Sequence, residues 1–135
     1  MFKQLDDKTL VAGQLRPEEL EEARRHGVTL VVNNRPDGEE PGQPLAAEIR
    51  QAAEAAGLEY RHIPIARGIG PADVEAMREA IHAAEGGRLL AFCRSGTRST
   101  YAWAVARRRD GADAEELRRC AGAAGYDLGP VSHLL

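Results

Sequence analysis

Apolar residues fall along this chain in blocks of two kinds. Short runs occur at Thr9-Leu10-Val11-Ala12, Val28-Thr29-Leu30-Val31-Val32 and Leu89-Leu90-Ala91-Phe92, and a partly alternating one spans Leu58 to Ile65. Runs of this length bounded by glycine or polar clusters predict strands. The unbroken ones predict strands buried on both faces, as in a parallel sheet. Residues 3–14 predict a short strand pair, and Pro64 places the Leu58–Ile65 strand near an edge or ends it. Between these runs the apolar spacing becomes helical. One helix follows Pro17 through Leu20, Ala23 and His26. Another covers 44–56, with Leu45, Ala46, Ile49, Ala52, Ala53 and Ala56 on one face. A third runs from Pro71 to about Ala84 on Val74, Met77 and Ile81. The last two open near Ser99 and Ala112. Pro17 and Pro71 sit at first-turn positions, and Gly27 and Gly57 are stops. Strand and helix therefore alternate four times. That order predicts one α/β domain over residues 1–135, with a mostly parallel central sheet and helices on both faces.

The run Leu89–Phe92 feeds straight into Cys93-Arg94-Ser95-Gly96-Thr97-Arg98-Ser99. Cys93 is thus expected at the carboxyl end of a parallel strand, facing a helix amino terminus. Open α/β sheets bind their ligands at such strand ends. Loop N–H groups and the helix dipole together form an anion cradle. A cysteine at its edge is expected as the nucleophilic thiolate. Arg94 and Arg98 add positive charge, and the planar fork of Arg98 can grip an oxyanion with two hydrogen bonds. Ser95, Gly96 and Thr97 supply the rest of the anion-binding loop, with Gly96 allowing the turn. Ser99 is the candidate hydroxyl donor to the sulfur. Cys120 falls inside a predicted helix and reads as a structural thiol, and Met77 reads as core. His26 and His62 read as a helix-end and a packing residue.

A second polar stretch, Asn33-Asn34-Arg35-Pro36-Asp37-Gly38-Glu39-Glu40-Pro41-Gly42, follows the second long strand. In a parallel sheet it shares an edge with Cys93. Arg35 becomes a candidate anion-binding residue and Asp37 a candidate general acid, against the alternative of a solvated Pro-Asp-Gly turn. Net charge is −3 and 29% of residues are charged, which gives no basic footprint for nucleic acid. Two cysteines without metal-ligand spacing predict neither a metal site nor a disulfide, and with no apolar leader or membrane-length run the expected setting is cytoplasmic. No cofactor is implied.

Five segments occur in one order: Val11-Ala12-Gly13-Gln14-Leu15, Asn33–Glu40, His62-Ile63-Pro64-Ile65, Phe92–Ser99 and Ala124-Gly125-Tyr126-Asp127-Leu128. Together they resemble the phosphatase-like domain of beta-lactamase-hydrolase-like proteins, a family also described as sulfur transferases. The resemblance implies a three-layer fold like the dual-specificity cysteine phosphatases, carrying a rhodanese-like loop. Four residues separate Cys93 from Arg98, whereas protein tyrosine phosphatases have five in the similar loop and rhodaneses have the shorter one. Some members of the family are fused to a metal-dependent persulfide dioxygenase domain, whose His-rich motif this sequence lacks.

Three functions fit these residues. The first expectation is sulfur transfer from thiosulfate or a persulfide through a Cys93 persulfide, with a thiol or protein as acceptor. No general acid is needed there, because the leaving groups are already good. The alternative is a tyrosine- or dual-specificity-type phosphatase acting through a Cys93 phospho-cysteine, whose leaving group needs a proton. Dual-specificity phosphatases carry an Asp about 30 residues before the Cys, whereas Ala66-Arg67-Gly68-Ile69-Gly70 here holds none. Asp73 reads as a first-turn helix residue, so Asp37 is the substitute. A sulfur or anion sensor without turnover is the third. All three take a small anionic sulfur or phosphate compound. The sequence leaves the oligomeric state open.

Overall fold

The computed structural model describes residues 1–135. Strands β1 (Lys3–Asp6), β2 (Thr9–Ala12), β3 (Val28–Asn33), β4 (Glu59–His62) and β5 (Arg88–Phe92) form one sheet in the order β1-β2-β5-β3-β4. Only β1 runs antiparallel, closed onto β2 by a short hairpin. β5 lies in the middle, pairing β2 on one side and β3 on the other. Both faces and both edges of β5 are therefore covered, which is why its sequence is an unbroken apolar run. Leu89, Leu90, Ala91 and Phe92 are all at most 1% exposed.

Five α-helices complete the chain: α1 (Leu20–Arg25), α2 (Ala46–Ala55), α3 (Pro71–Ala83), α4 (Thr97–Arg109) and α5 (Ala114–Ala123). A 3-10 turn at Pro17–Glu19 leads into α1, and a 3-10 segment at Gly129–Leu134 closes the chain. The side chains of the strands divide the core in two. Val11, Val32, Leu89 and Ala91 pack with α3, α4 and α5 through Val74, Met77, Trp103 and Leu117. Leu10, Ala12, Val31, Leu90 and Phe92 pack with α1 and α2 through Leu20, Ala23, Ile49 and Ala53. Alternation at period two thus builds three layers. Each fully buried aliphatic side chain contributes about 1.5–3 kcal/mol of burial free energy.

Three elements differ in extent from the sequence expectation. β4 is four residues rather than eight, because Pro64 has no N–H to continue the ladder. Ile63 and Ile65 nevertheless donate to Asn33 O and Asn34 O at 2.9 Å, so this edge stays attached past the proline. α4 starts at Thr97, two residues before Ser99. Leu45 precedes α2 as its capping residue, 53% exposed, and so takes no part in the apolar face. No helix is long and apolar enough to cross a membrane.

Candidate active site

Parallel pairing of β2, β5, β3 and β4 brings four carboxyl ends to one edge of the sheet. The residues that follow them are Gly13-Gln14, Cys93, Asn34-Arg35 and Ile63–Ile65. Cys93 is 1% exposed, and its Sγ accepts the Gly96 N–H at 3.2 Å. Gly96 has a φ of +89°, a conformation glycine adopts without steric cost, and the next residue begins α4. Gly96 O is turned into α4, where it accepts Thr100 N–H at 2.9 Å and Thr100 Oγ1–H at 2.8 Å. Arg94 O is turned outward to Gln14 N–H at 3.3 Å, and a Cβ on Gly13 would lie 3.0 Å from that carbonyl. With these carbonyls held away, loop N–H groups are left for the sulfur side.

The remaining loop side chains lie at different depths. Arg94 stands at the rim, exposed, with Glu40 at 3.8 Å. Ser95 Oγ and Thr97 Oγ1 share a hydrogen bond of 2.9 Å. Arg98 reaches back under the 65–70 loop. Its Nη1 donates to Glu39 Oε2 and Ile65 O, both at 2.7 Å, and its Nη2 donates to Glu39 Oε1 at 2.8 Å. A guanidinium has five N–H groups. These bonds use the end that faces away from Nε, so the lateral pair, Nε–H and the outer Nη2–H, is left over. Glu39 thereby holds the arginine without consuming the fork an oxyanion needs. Its own carboxyl is lowered to about 2, chiefly by the Arg98 hydrogen bond against an opposing burial cost, with Arg35 assisting. Glu39 is an anion at neutral pH, with no proton to give.

Three expected site residues are placed otherwise. Arg35 is fully buried, and its guanidinium is used within the fold: Nε to Glu39 at 2.8 Å, Nη1 to Gln14 at 3.0 Å and Nη2 to Glu40 at 3.0 Å. A buried cation must be paired, and these partners let it brace the 33–43 loop. Ser99 Oγ donates to Asn34 Oδ1 at 2.8 Å rather than to the sulfur, because α4 turns it toward the end of β3. Asp37 Oδ1 accepts the Ala46 N–H at 2.7 Å, which makes it an acceptor for the start of α2. Asp73 is likewise occupied by Gly70 N–H at 2.9 Å, and His62 Nε2 lies 2.9 Å from Arg35 O. Every carboxylate here is thus engaged with an arginine or a backbone N–H.

Sequence reasoning missed Glu39 and Tyr126. Glu39 lay within a stretch singled out for its arginine and aspartate. Tyr126 Oη donates to Ser95 O at 3.0 Å from beyond α5, and its order in the chain was the only available signal. Cys120 is far from this edge, and its thiol is pushed up by burial first and then by Glu116.

The family model of the beta-lactamase hydrolase-like protein, phosphatase-like domain, matches residues 1–110. The chain belongs to this family. A beta-lactamase hydrolase-like protein of Xylella fastidiosa is 36% identical over 127 residues, which cover 93% of this chain but 29% of that protein. One from Agrobacterium fabrum is 34% identical over 108 residues, 79% of this chain and 25% of its own length. The chain therefore spans less than a third of these relatives. Among solved structures, a phosphatase candidate from Neisseria meningitidis superposes with a TM-score of 0.83 at 37% identity, covering 98% of this chain and 94% of that one. Kinase associated phosphatase (TM-score 0.69, 15% identity, 92% and 82% covered) and Pseudomonas aeruginosa TpbA bound to phosphotyrosine (0.62, 19%, 96% and 86%) share the fold. The fold is that of the dual-specificity and tyrosine phosphatases. These likenesses back a phosphatase better than the sulfur transfer expected first.

Proposed function

We propose that the Cys93 loop hydrolyses a phosphate ester through a phospho-cysteine. The observation that carries this reading is the sulfur itself, held at the end of β5 under the Gly96 N–H, beside Arg98. Sγ attacks phosphorus as the P–O bond to the leaving group breaks, and water then cleaves the S–P bond to release inorganic phosphate. The lateral fork of Arg98 and the loop N–H groups bind the equatorial oxygens, where charge concentrates. Arg94, Ser95 and Thr97 line the entrance. No carboxylic acid stands free to protonate the departing oxygen, since Asp37, Asp73 and Glu39 all have other partners. The favoured substrates are small anionic esters whose leaving groups need no proton, aryl phosphates above all. The phosphotyrosine bound by TpbA is of that class.

The same two features, a four-residue spacing from Cys93 to Arg98 and the lack of a free acid, suit sulfur transfer as a second reading. One experiment separates them. Aryl-phosphate turnover is measured beside intact-protein mass after brief exposure to thiosulfate or a low-molecular-weight persulfide. Phosphate release that is abolished in Cys93→Ser and kept in Cys120→Ser is the expected result. A gain of one sulfur atom on Cys93, removable by cyanide and unaccompanied by phosphate release, assigns sulfur transfer instead. Full turnover in Cys93→Ser rejects both readings.

A further inference from the structure

The hydrogen bond to the sulfur comes from a peptide that has two ends. The unit joining Ser95 to Gly96 is planar and trans, so its C=O and N–H point in opposite directions. Its N–H donates to Cys93 Sγ at 3.2 Å, and its C=O accepts the Tyr126 O–H at 3.0 Å. Whatever fixes the carbonyl end fixes the N–H end. This unit needs fixing, because Gly96 at φ +89° is the residue type for which rotation of the preceding peptide costs least. Its neighbours are secured differently: Arg94 O by the Gln14 backbone and Gly96 O by α4. Of the three carbonyls, only Ser95 O relies on a side chain from a distant element.

Tyr126 is itself held. Lys3 Nζ lies 4.9 Å from the centre of its ring, on the β1 side, a cation–π contact. The fit against the loop is close, since a Cβ on Gly96 would collide with the Tyr126 hydroxyl oxygen. Burial first, then the negative charge of Cys93, pushes the Tyr126 phenol up, so it stays a protonated donor. Tyr126 also lies outside residues 1–110, the part that the family model matches.

We infer that Tyr126 is a positioning residue for the nucleophile, locking the Ser95–Gly96 peptide so that its N–H faces the Cys93 sulfur. The inference rests on Cys93 being the nucleophile. Without the phenol hydroxyl, the Ser95 carbonyl is free to rotate toward the cradle. It then presents a negative dipole to the thiolate and to any anion bound there.

The test is Tyr126→Phe, which removes one oxygen and keeps the ring over Lys3. Three quantities are read: aryl-phosphate kinetics, the rate of Cys93 alkylation by iodoacetamide at neutral pH, and exchange of the Gly96 amide proton by NMR. The expected result is a fall of roughly tenfold in kcat/KM, carried mostly by kcat, with alkylation slowed several-fold and Gly96 exchange accelerated. The sign of the alkylation change separates positioning from loosening, because a merely loosened loop exposes this buried thiol and speeds alkylation. Unchanged kinetics and an unchanged Gly96 amide overturn the inference, as does faster alkylation. Should Cys93→Ser keep its turnover in the same assay, it is the underlying reading of the site that fails. Tyr126→Leu, which also removes the ring, is expected to lose at least as much activity as Tyr126→Phe. A Leu variant more active than the Phe variant likewise counts against the lock.

Discussion

One carboxylate carries more of this site than its sequence context implied. Glu39 sits between two arginines, accepting from Arg98 through both oxygens and from Arg35 through one. Arg35 keeps Glu40 and Gln14 if Glu39 is neutralised, whereas Arg98 keeps Ile65 O and exchanges a charged two-oxygen partner for one neutral acceptor. Glu39→Gln is therefore expected to disturb Arg98 the more. Losing hydrogen bonds to charged partners costs about 1.5–3 kcal/mol, readable in urea denaturation. Turnover should fall as well, because the lateral fork loses its orientation. A variant as stable and as active as the parent shows that Arg98 is held by other means.

Asp37 poses its question at the scale of an element. Its acceptor role at the first N–H of α2 makes it a capping group, contributed by a residue nine positions upstream. Asp37→Ala should cost about 1 kcal/mol of stability, the ordinary value of a lost cap. Asp37→Asn keeps an acceptor, so stability and aryl-phosphate turnover are both expected to stay within a factor of about two. A large kcat loss in Asp37→Asn, greater for poorer leaving groups, would restore Asp37 as the general acid. The strand-to-loop junctions obey the same logic. Asn34 donates to Ile63 O at 3.0 Å and accepts from Ser99 at 2.8 Å, so one amide ties the ends of β3 and β4 to the first turn of α4. That is why Ser99 turns inward to the frame and away from the sulfur.

Across the whole molecule, acid should act through two carboxylates that are paired with basic side chains. Glu39, lowered to about 2, ties the 33–43 loop to α4. Asp110, at the end of α4, joins Arg78 and His82 of α3. Burial opposes its ionisation, but the hydrogen bonds from Arg78 and then His82 bring it below the usual value. Both groups bind protons more weakly folded than unfolded. The Glu39 contribution is present above its unfolded value of 4.5 and fades as pH falls toward about 2, and the Asp110 contribution is present above its unfolded value of 3.8 and fades below it. Urea midpoints measured between pH 7 and 2.5 should hold until about pH 4.5 and then decline. The decline should be shallower in Glu39→Gln. An equal slope in parent and variant removes Glu39 from the acid response.

The division between what was and was not legible in the sequence follows from distance along the chain. The succession of strands and helices was readable because short apolar runs and period-3.6 patterns are local. The Cys93–Ser99 loop was readable because its glycine, its cysteine and the helix it opens are adjacent, and local backbone geometry sets the cradle. Pairings were not readable where partners meet only through folding. Arg98 and Glu39 are 59 residues apart, Ser99 and Asn34 are 65 apart, and Tyr126 and Ser95 are 31 apart. A sequence names donors and acceptors but not which of several competitors each will meet. Arg35 read as a further candidate anion ligand, and Arg98 as the arginine that grips an oxyanion. Packing buried the first among Glu39, Glu40 and Gln14, and left the second with a free fork beside Cys93. The residue types by themselves determined that this chain would place a cysteine in a loop rich in glycine, arginine and hydroxyls at the carboxyl ends of a parallel sheet. Only the tertiary structure decided which charges stay available there, because that depends on which carboxylates the fold brings within hydrogen-bond reach.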